Sequence, residues 1–407
     1  MELSFTERRK LSFSMICLYF VLWGVQFIGF NYLPIYLTEL KFDTNTVGLV
    51  VAFGYIVSMV VQPIWGTLAD HAKTKNSILR ITLIGAAVSA WLLILPKHTS
   101  LLTLLPSIAV VYTFLLIPGI LVDTIVVENI HKTGLRFGAV KCFSSGGAAF
   151  MALLTYIISF FMELKSSTAF LLLSCAAALS IIPLTFIPPT KGLARGNTGP
   201  KVGIGTILKN KRFILLLSFA LFHFLFVQCA NTFLSVYYST EQGLNAGIGT
   251  YGLFYAVCIA LETVVMLVFT RQINKMNIYN VFILAGLAGS VRSLIVFLAP
   301  NAYVLLFCAI FHALMFGPLW VRLAPYIRSI VPDEMRATGM TVWSVIQSGL
   351  APVAGSLLGG ALSGWVGMRN LFLITSVMIF LNAVVFFFLF RRQRAIDLAE
   401  GFITEEP

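Results

Sequence analysis

Twelve apolar runs, each long enough to cross a bilayer and each followed by a polar break, constrain this chain more than any motif does. A crossing helix needs about 20 apolar residues. The runs fall at 13–37, 46–69, 78–96, 100–128, 137–161, 167–188, 212–238, 248–270, 278–298, 302–327, 338–363 and 369–391. Lipid gives a backbone no hydrogen-bond partners, so each run is expected to be helical. Composition agrees: of 407 residues, 58% are hydrophobic and only 11% charged. A soluble protein of this length could not bury so much apolar surface, whereas a multi-pass membrane protein uses lipid as its solvent.

The net charge of +12 would suggest a nucleic-acid partner in a soluble protein. Here the basic residues crowd into alternate short loops: Arg8-Arg9-Lys10, Lys73 and Lys75, Lys132 and Arg136, Lys191 to Arg212, Arg271 and Lys275, Arg328 and Arg336, and Arg391 to Arg394. The opposite loops hold only Lys41, Lys97, Lys165 and Arg369. Positive charge stays on the cytoplasmic side, so both termini are expected in the cytoplasm, with the chain in the cell (inner or plasma) membrane. The partner is then the bilayer, and no nucleic acid is expected.

Six cysteines all sit in apolar segments without CxxC or His spacing, so no metal or cofactor site is read from them. The first run is too long for a signal peptide and lacks an A-x-A-like cleavage site, so it is expected to stay in the mature protein. No HExxH, GxSxG or P-loop occurs, and the chain is not expected to be an enzyme.

A glycine-rich, basic stretch from Pro189 to Arg212 divides the runs six and six. Pro118-Gly119 before Asp123 lines up with Gly317-Pro318 before Arg322 when the halves are overlaid. The predicted fold is all-α, twelve transmembrane helices in two pseudo-symmetric six-helix bundles. The bundles are 1–189 and 212–394, with a cytoplasmic linker at 190–211 and a tail at 395–407. Such paired halves usually carry a midplane site.

Asp123, Lys141, Glu262, Arg292 and His312 are ionisable groups set inside the apolar runs. Each is costly in hydrocarbon and is expected to face a partner or a wet cavity. Asp123 and Lys141 have their midpoint at Lys132, in a turn. At about 1.5 Å rise per residue, both reach the same depth, roughly 13 Å from that turn. Glu262 and Arg292 share a midpoint at Asn277, also in a loop, and His312 lies about ten residues into its run. Two acid–base pairs are therefore expected, Asp123 with Lys141 and Glu262 with Arg292. Either pair could instead only fix helix register, and His312 could be a packing residue.

Gln26 and Asn31 on span one, Gln228 and Asn231 on span seven, and Gln347 on span eleven could complete a solute site or join helices. Trp23, Trp320 and Trp343 could stack on a ring or simply pack. Gly355, Gly359 and Gly360 suit close helix contact.

The segment Gly66-Thr-Leu-Ala-Asp70-His-Ala-Lys-Thr-Lys75 resembles the cytoplasmic loop motif of the major facilitator superfamily, with His71 and Lys73 in place of the usual arginine and glycine. Asp123, the segment Arg136 to Lys141, Gly252 with Glu262, Ser290-Val-Arg292 and Phe311-His312 resemble its proton-coupled lactose permease group. They are closer still to its phenylpropionate-permease-like and nucleoside–proton symporter branches. That resemblance implies solute binding by Asp123 and Lys141 and proton coupling through Glu262, Arg292 and His312. Lys141 stands where the lactose permease has arginine, Ala148 replaces its sugar-stacking aromatic, and Met315 replaces its proton-translocating carboxylate. A lactose-type solute is thus not implied.

The expected activity is secondary transport by alternating access, a small polar or aromatic solute (sugar, nucleoside or aromatic acid) binding between the halves of a monomer and entering with a proton. Gln26, Asn31, Gln228 and Asn231 would add solute contacts, and Asp70 and Arg322 would stabilise the outward-open state. Proton-driven efflux of amphiphilic compounds is the rival within transport, and a non-transporting solute receptor is the rival from another class.

Overall fold

The computed structural model describes residues 4–95, 98, 100–135, 137–191, 204–207, 209–241, 243–332 and 335–399. Lys97, Arg136, most of the expected linker and the last part of the expected tail lie outside the described residues. Twelve helical segments among the described residues are long and apolar enough to cross a membrane. In chain order they are α1 Phe5–Glu39, α2 Thr44–His71, α3 Lys75–Ile94, α4 Leu101–Lys132, α5 Phe137–Ile158 and α6 Ser166–Thr185. They continue as α7 Lys211–Ser239, α8 Gly247–Val268, α9 Ile278–Leu298, α10 Val304–Ile330, α11 Thr338–Val366 and α12 Met368–Leu398.

Several helices outrun the apolar stretch that predicts them, because local chemistry holds their polar ends. At the start of α1, Glu7 N–H donates to Ser4 Oγ at 3.3 Å while Ser4 N–H donates to Glu7 Oε2 at 2.8 Å. This capping box satisfies two backbone donors that a helix start leaves open. Before α2, Thr46 Oγ1 donates to Asp43 Oδ1 at 2.5 Å, and that bond holds the Asp43 carboxyl below its usual range. At the far end of α12, Asp397 is completely buried. It accepts from Arg212 Nε at 2.7 Å, Tyr279 Oη at 2.6 Å and Gln393 Nε2 at 2.7 Å. The helix continues beyond its last apolar turn because this carboxylate ties it to α7 and α9.

Close contacts divide the chain into two compact units. One is Met1–Gly199 together with Ser235–Ala260, and the other is Pro200–Leu234 together with Leu261–Pro407. The last turn of α7 and the earlier part of α8 therefore group with the first six helices.

In the first unit, α1 lies along α5 at a small-residue seam. A Cβ on Gly147 would stand 1.7 Å from the Phe20 carbonyl oxygen, so only glycine fits there. The Tyr251 hydroxyl donates to Asn31 Oδ1 at 2.5 Å, and the rings of Phe27 and Tyr255 lie 4.7 Å apart. In the second unit, α11 closes on α7 through the glycines expected to do so. A Cβ on Gly355 would meet the Leu225 oxygen at 2.5 Å, and one on Gly359 the Cys229 oxygen at 2.7 Å. Next to this contact, Ile346–Leu350 forms a π-helical turn that carries Gln347.

Candidate functional site

In the first unit, Asp123 of α4 is the hub of a polar cluster. Its Oδ2 accepts from Lys141 Nζ of α5 at 2.6 Å, and its Oδ1 accepts from the Tyr19 hydroxyl of α1 at 2.6 Å. The acid and lysine side chains are 36% and 40% exposed, so both heads remain open to a solute. The depth arithmetic had placed these two groups together, and the structure pairs them. Tyr19 was not foreseen. Its signal was a helical stripe: Tyr19, Trp23 and Gln26 recur at the spacing that puts side chains on one face. The Tyr19 and Trp23 rings are 5.3 Å apart, and Lys141 Nζ lies 5.4 Å from the Phe137 ring centroid. Gln26 and Trp23 both lie over Gly119 of α4, where a Cβ would meet Gln26 Nε2 at 2.7 Å and the Trp23 ring at 3.6 Å. Asn31 sits apart from this cluster, held between the Phe27 carbonyl and Tyr251.

The second unit holds the remaining central charges, with a different pairing from the expected one. Glu262 Oε2 of α8 lies 3.2 Å from His312 Nε2 of α10, both nearly buried. Arg292 of α9 is 5% exposed and instead donates through Nη1 to Asn231 Oδ1 of α7 at 2.8 Å. Equal depth had suggested a Glu262–Arg292 pair. Depth leaves rotation about the helix axis undetermined, and the side chains of α8 and α9 turn to other neighbours. Arg292 stays close enough to act electrostatically on His312. Asn231 is thus the arginine's anchor, and Gln228 is held within its own helix by donating to Thr232 Oγ1 at 3.2 Å. Trp320 and Trp343 pack around Phe224, at centroid distances of 6.3 and 5.7 Å.

Asp70 is exposed near the end of α2, and Arg322 is half-buried late in α10. The last residue of the loop motif is more firmly engaged: Lys75 is 2% exposed and donates to Glu128 Oε1 of α4 at 2.5 Å. Counting from a turn does not find this partner, because the midpoint of the two residues falls at Leu101–Leu102, inside α4 and not in the break before it. His223, fully buried in α7, also escaped attention because its neighbours in sequence are all apolar. Among the described residues no cluster of His, Cys, Asp and Glu could hold a metal ion.

Comparison with known proteins gives this architecture a class. A family model described as the MFS_1 like family matches residues 12–374. The chain is 23% identical over 390 residues to a maltose permease of Geobacillus stearothermophilus, covering 95% of this chain and 96% of the relative. It is 21% identical over 348 residues to the uncharacterized transporter YwbF of Bacillus subtilis (strain 168), covering 85% of each. Among solved structures, a mutant of the nucleoside transporter NupG superposes with a TM-score of 0.81 at 16% identity, over 93% of this chain and 100% of that one. A peptide transporter POT bound to alafosfalin gives 0.71 at 13% identity, over 95% and 98%. The protein is a multi-pass membrane transporter with the major facilitator fold. It belongs to the MFS_1 like family.

Proposed function

We propose that this carrier is a proton-coupled symporter of a small, neutral, hydroxyl-bearing ring solute, working by alternating access in the cell membrane with both termini cytoplasmic. The observation that carries the coupling is the buried contact of Glu262 with His312. A proton reaching this pair can reside on either group. Protonating Glu262 turns an acceptor of the imidazole into a donor and removes its charge. The contact between α8 and α10 is then weakened, and the protonation state is linked to helix packing. Arg292, anchored by Asn231, stays nearby as a fixed positive charge.

The solute class follows from the Asp123 cluster. Lys141 is neutralised by Asp123, so the pair offers hydrogen-bond donors and acceptors without net charge. Lys141 retains further N–H donors, and each Asp123 oxygen retains a lone pair. Such a site suits hydroxyl groups and gives a carboxylate no free cation. Trp23 beside Tyr19 offers a ring face on which a sugar or nucleoside can stack. The relatives named for maltose and nucleosides fall within this class, while an aromatic acid does not.

The test uses purified protein in liposomes without an imposed gradient. Adding maltose or uridine should make the external medium alkaline as solute and proton enter together, whereas phenylpropionate should not. Net uptake of labelled maltose or uridine without any pH change would overturn the coupling. Alkalinisation by phenylpropionate alone would overturn the solute class.

A further inference from the structure

His223 stands near the middle of α7, is completely buried, and has no hydrogen-bond partner on either ring nitrogen among the described residues. The Phe219 ring stacks on it at 5.2 Å with an 11° interplanar angle, and the Phe224 ring meets it edge-on at 5.3 Å. A Cβ added to Gly289 of α9 would stand 3.6 Å from His223 Cε1, 2.8 Å from Met315 Sδ of α10 and 3.4 Å from Ile379 Cγ2 of α12. The imidazole therefore fills an apolar junction of four helices.

A neutral imidazole always carries one N–H donor and one acceptor nitrogen, and both are stranded here. A charged imidazolium would be worse placed, because nothing in contact with it bears a negative charge. The charged and titratable groups nearest this junction are accounted for. On α9, Arg292 lies one turn beyond Gly289 and is bound to Asn231. On α10, His312 lies one turn before Met315 and faces Glu262. On α12 no charged residue occurs between Arg369 and Arg391. On α7 itself, Cys229 faces α11. The junction can shelter the uncharged ring only, and the ring gains partners only when water reaches it.

We propose that His223 is a second proton-binding site of the carrier, distinct from the Glu262–His312 pair, which takes its proton from water when the α7–α9–α10–α12 junction loosens. Once charged it blocks repacking of that junction until the proton leaves. The proton is thereby linked to a conformational step without contact to solute. The inference rests on the transport reading for its purpose, but its readout needs neither solute nor gradient.

Hydrogen–deuterium exchange of the full-length protein in lipid nanodiscs, corrected for intrinsic rates, reads the opening of α7, α9 and α12 directly. Across about pH 5 to about pH 8, the range in which histidine changes charge, wild type should open more as pH falls. One-proton linkage allows up to about tenfold per pH unit. His223→Phe keeps the ring and removes both nitrogens, whereas His223→Gln keeps a polar group that cannot titrate. Loss of the pH dependence in both variants is the expected result. Its persistence in either variant, or its absence from wild type, overturns the proposal. An Glu262→Gln carrier that fails to couple while keeping pH-dependent opening would separate this site from the pair.

Discussion

The Tyr251 hydroxyl donates to Asn31 Oδ1 at 2.5 Å, joining the early half of α8 to the later part of α1. Around it, a Cβ on Gly252 would meet both the Ala152 oxygen and Thr155 Oγ1 of α5 at 2.4 Å. Tyr251→Phe should weaken this packing by about 1 kcal/mol, the usual net worth of one hydrogen bond. Gly252→Val should cost more, because a backbone oxygen cannot rotate away. Thermal unfolding in detergent should rank the two variants in that order.

Lys75 is 2% exposed, while its partner Glu128 is 31% exposed. Glu128→Gln strands a buried ammonium and should destabilise the first unit by on the order of 3 kcal/mol. Adding Lys75→Met should recover part of that loss, because the uncompensated charge disappears. A double variant no more stable than Glu128→Gln alone would show that the pair does not act as a pair.

Asp123 and Lys141 are too exposed for their ion pair to matter much to stability, and such pairs contribute roughly 0–1 kcal/mol. Asp123→Asn should thus leave the melting temperature nearly unchanged while abolishing solute binding. Trp23→Ala should weaken binding of maltose or uridine by about fivefold, since a stacked aromatic contributes about 1 kcal/mol beyond its area. Calorimetric titration of each variant, beside its unfolding curve, separates binding from folding.

Asp397, fully buried with three donors, should behave in the opposite way. Asp397→Ala leaves Arg212 and Tyr279 without their acceptor and should cost several kcal/mol, on the order of a broken buried charge network. Truncation before Gln393 should do at least as much damage, measured by the yield of monodisperse protein.

What was legible in the sequence was one-dimensional. Run lengths gave the twelve crossings, and counting from a turn gave the shared depth of Asp123 and Lys141. The same counting does not pair Lys75 with Glu128, whose midpoint falls inside α4. It failed for Glu262 and Arg292, because depth says nothing about which way a side chain points around its helix. That angle is set by packing: Gly317 brings α10 close to α8 at Glu262, and Asn231 draws Arg292 toward α7. His223 was illegible for another reason, since its chemistry lies in lacking a partner, and only three-dimensional neighbours can show that.

The central claim is that protons act through Glu262 and His312, and Glu262→Gln tests it most directly in liposomes loaded with maltose or uridine. The variant should still exchange labelled solute in counterflow, because its binding groups in the first unit are untouched. It should fail to concentrate that solute when a pH gradient, acid outside, is imposed. Accumulation by Glu262→Gln with the pH dependence of the unaltered protein would contradict the account.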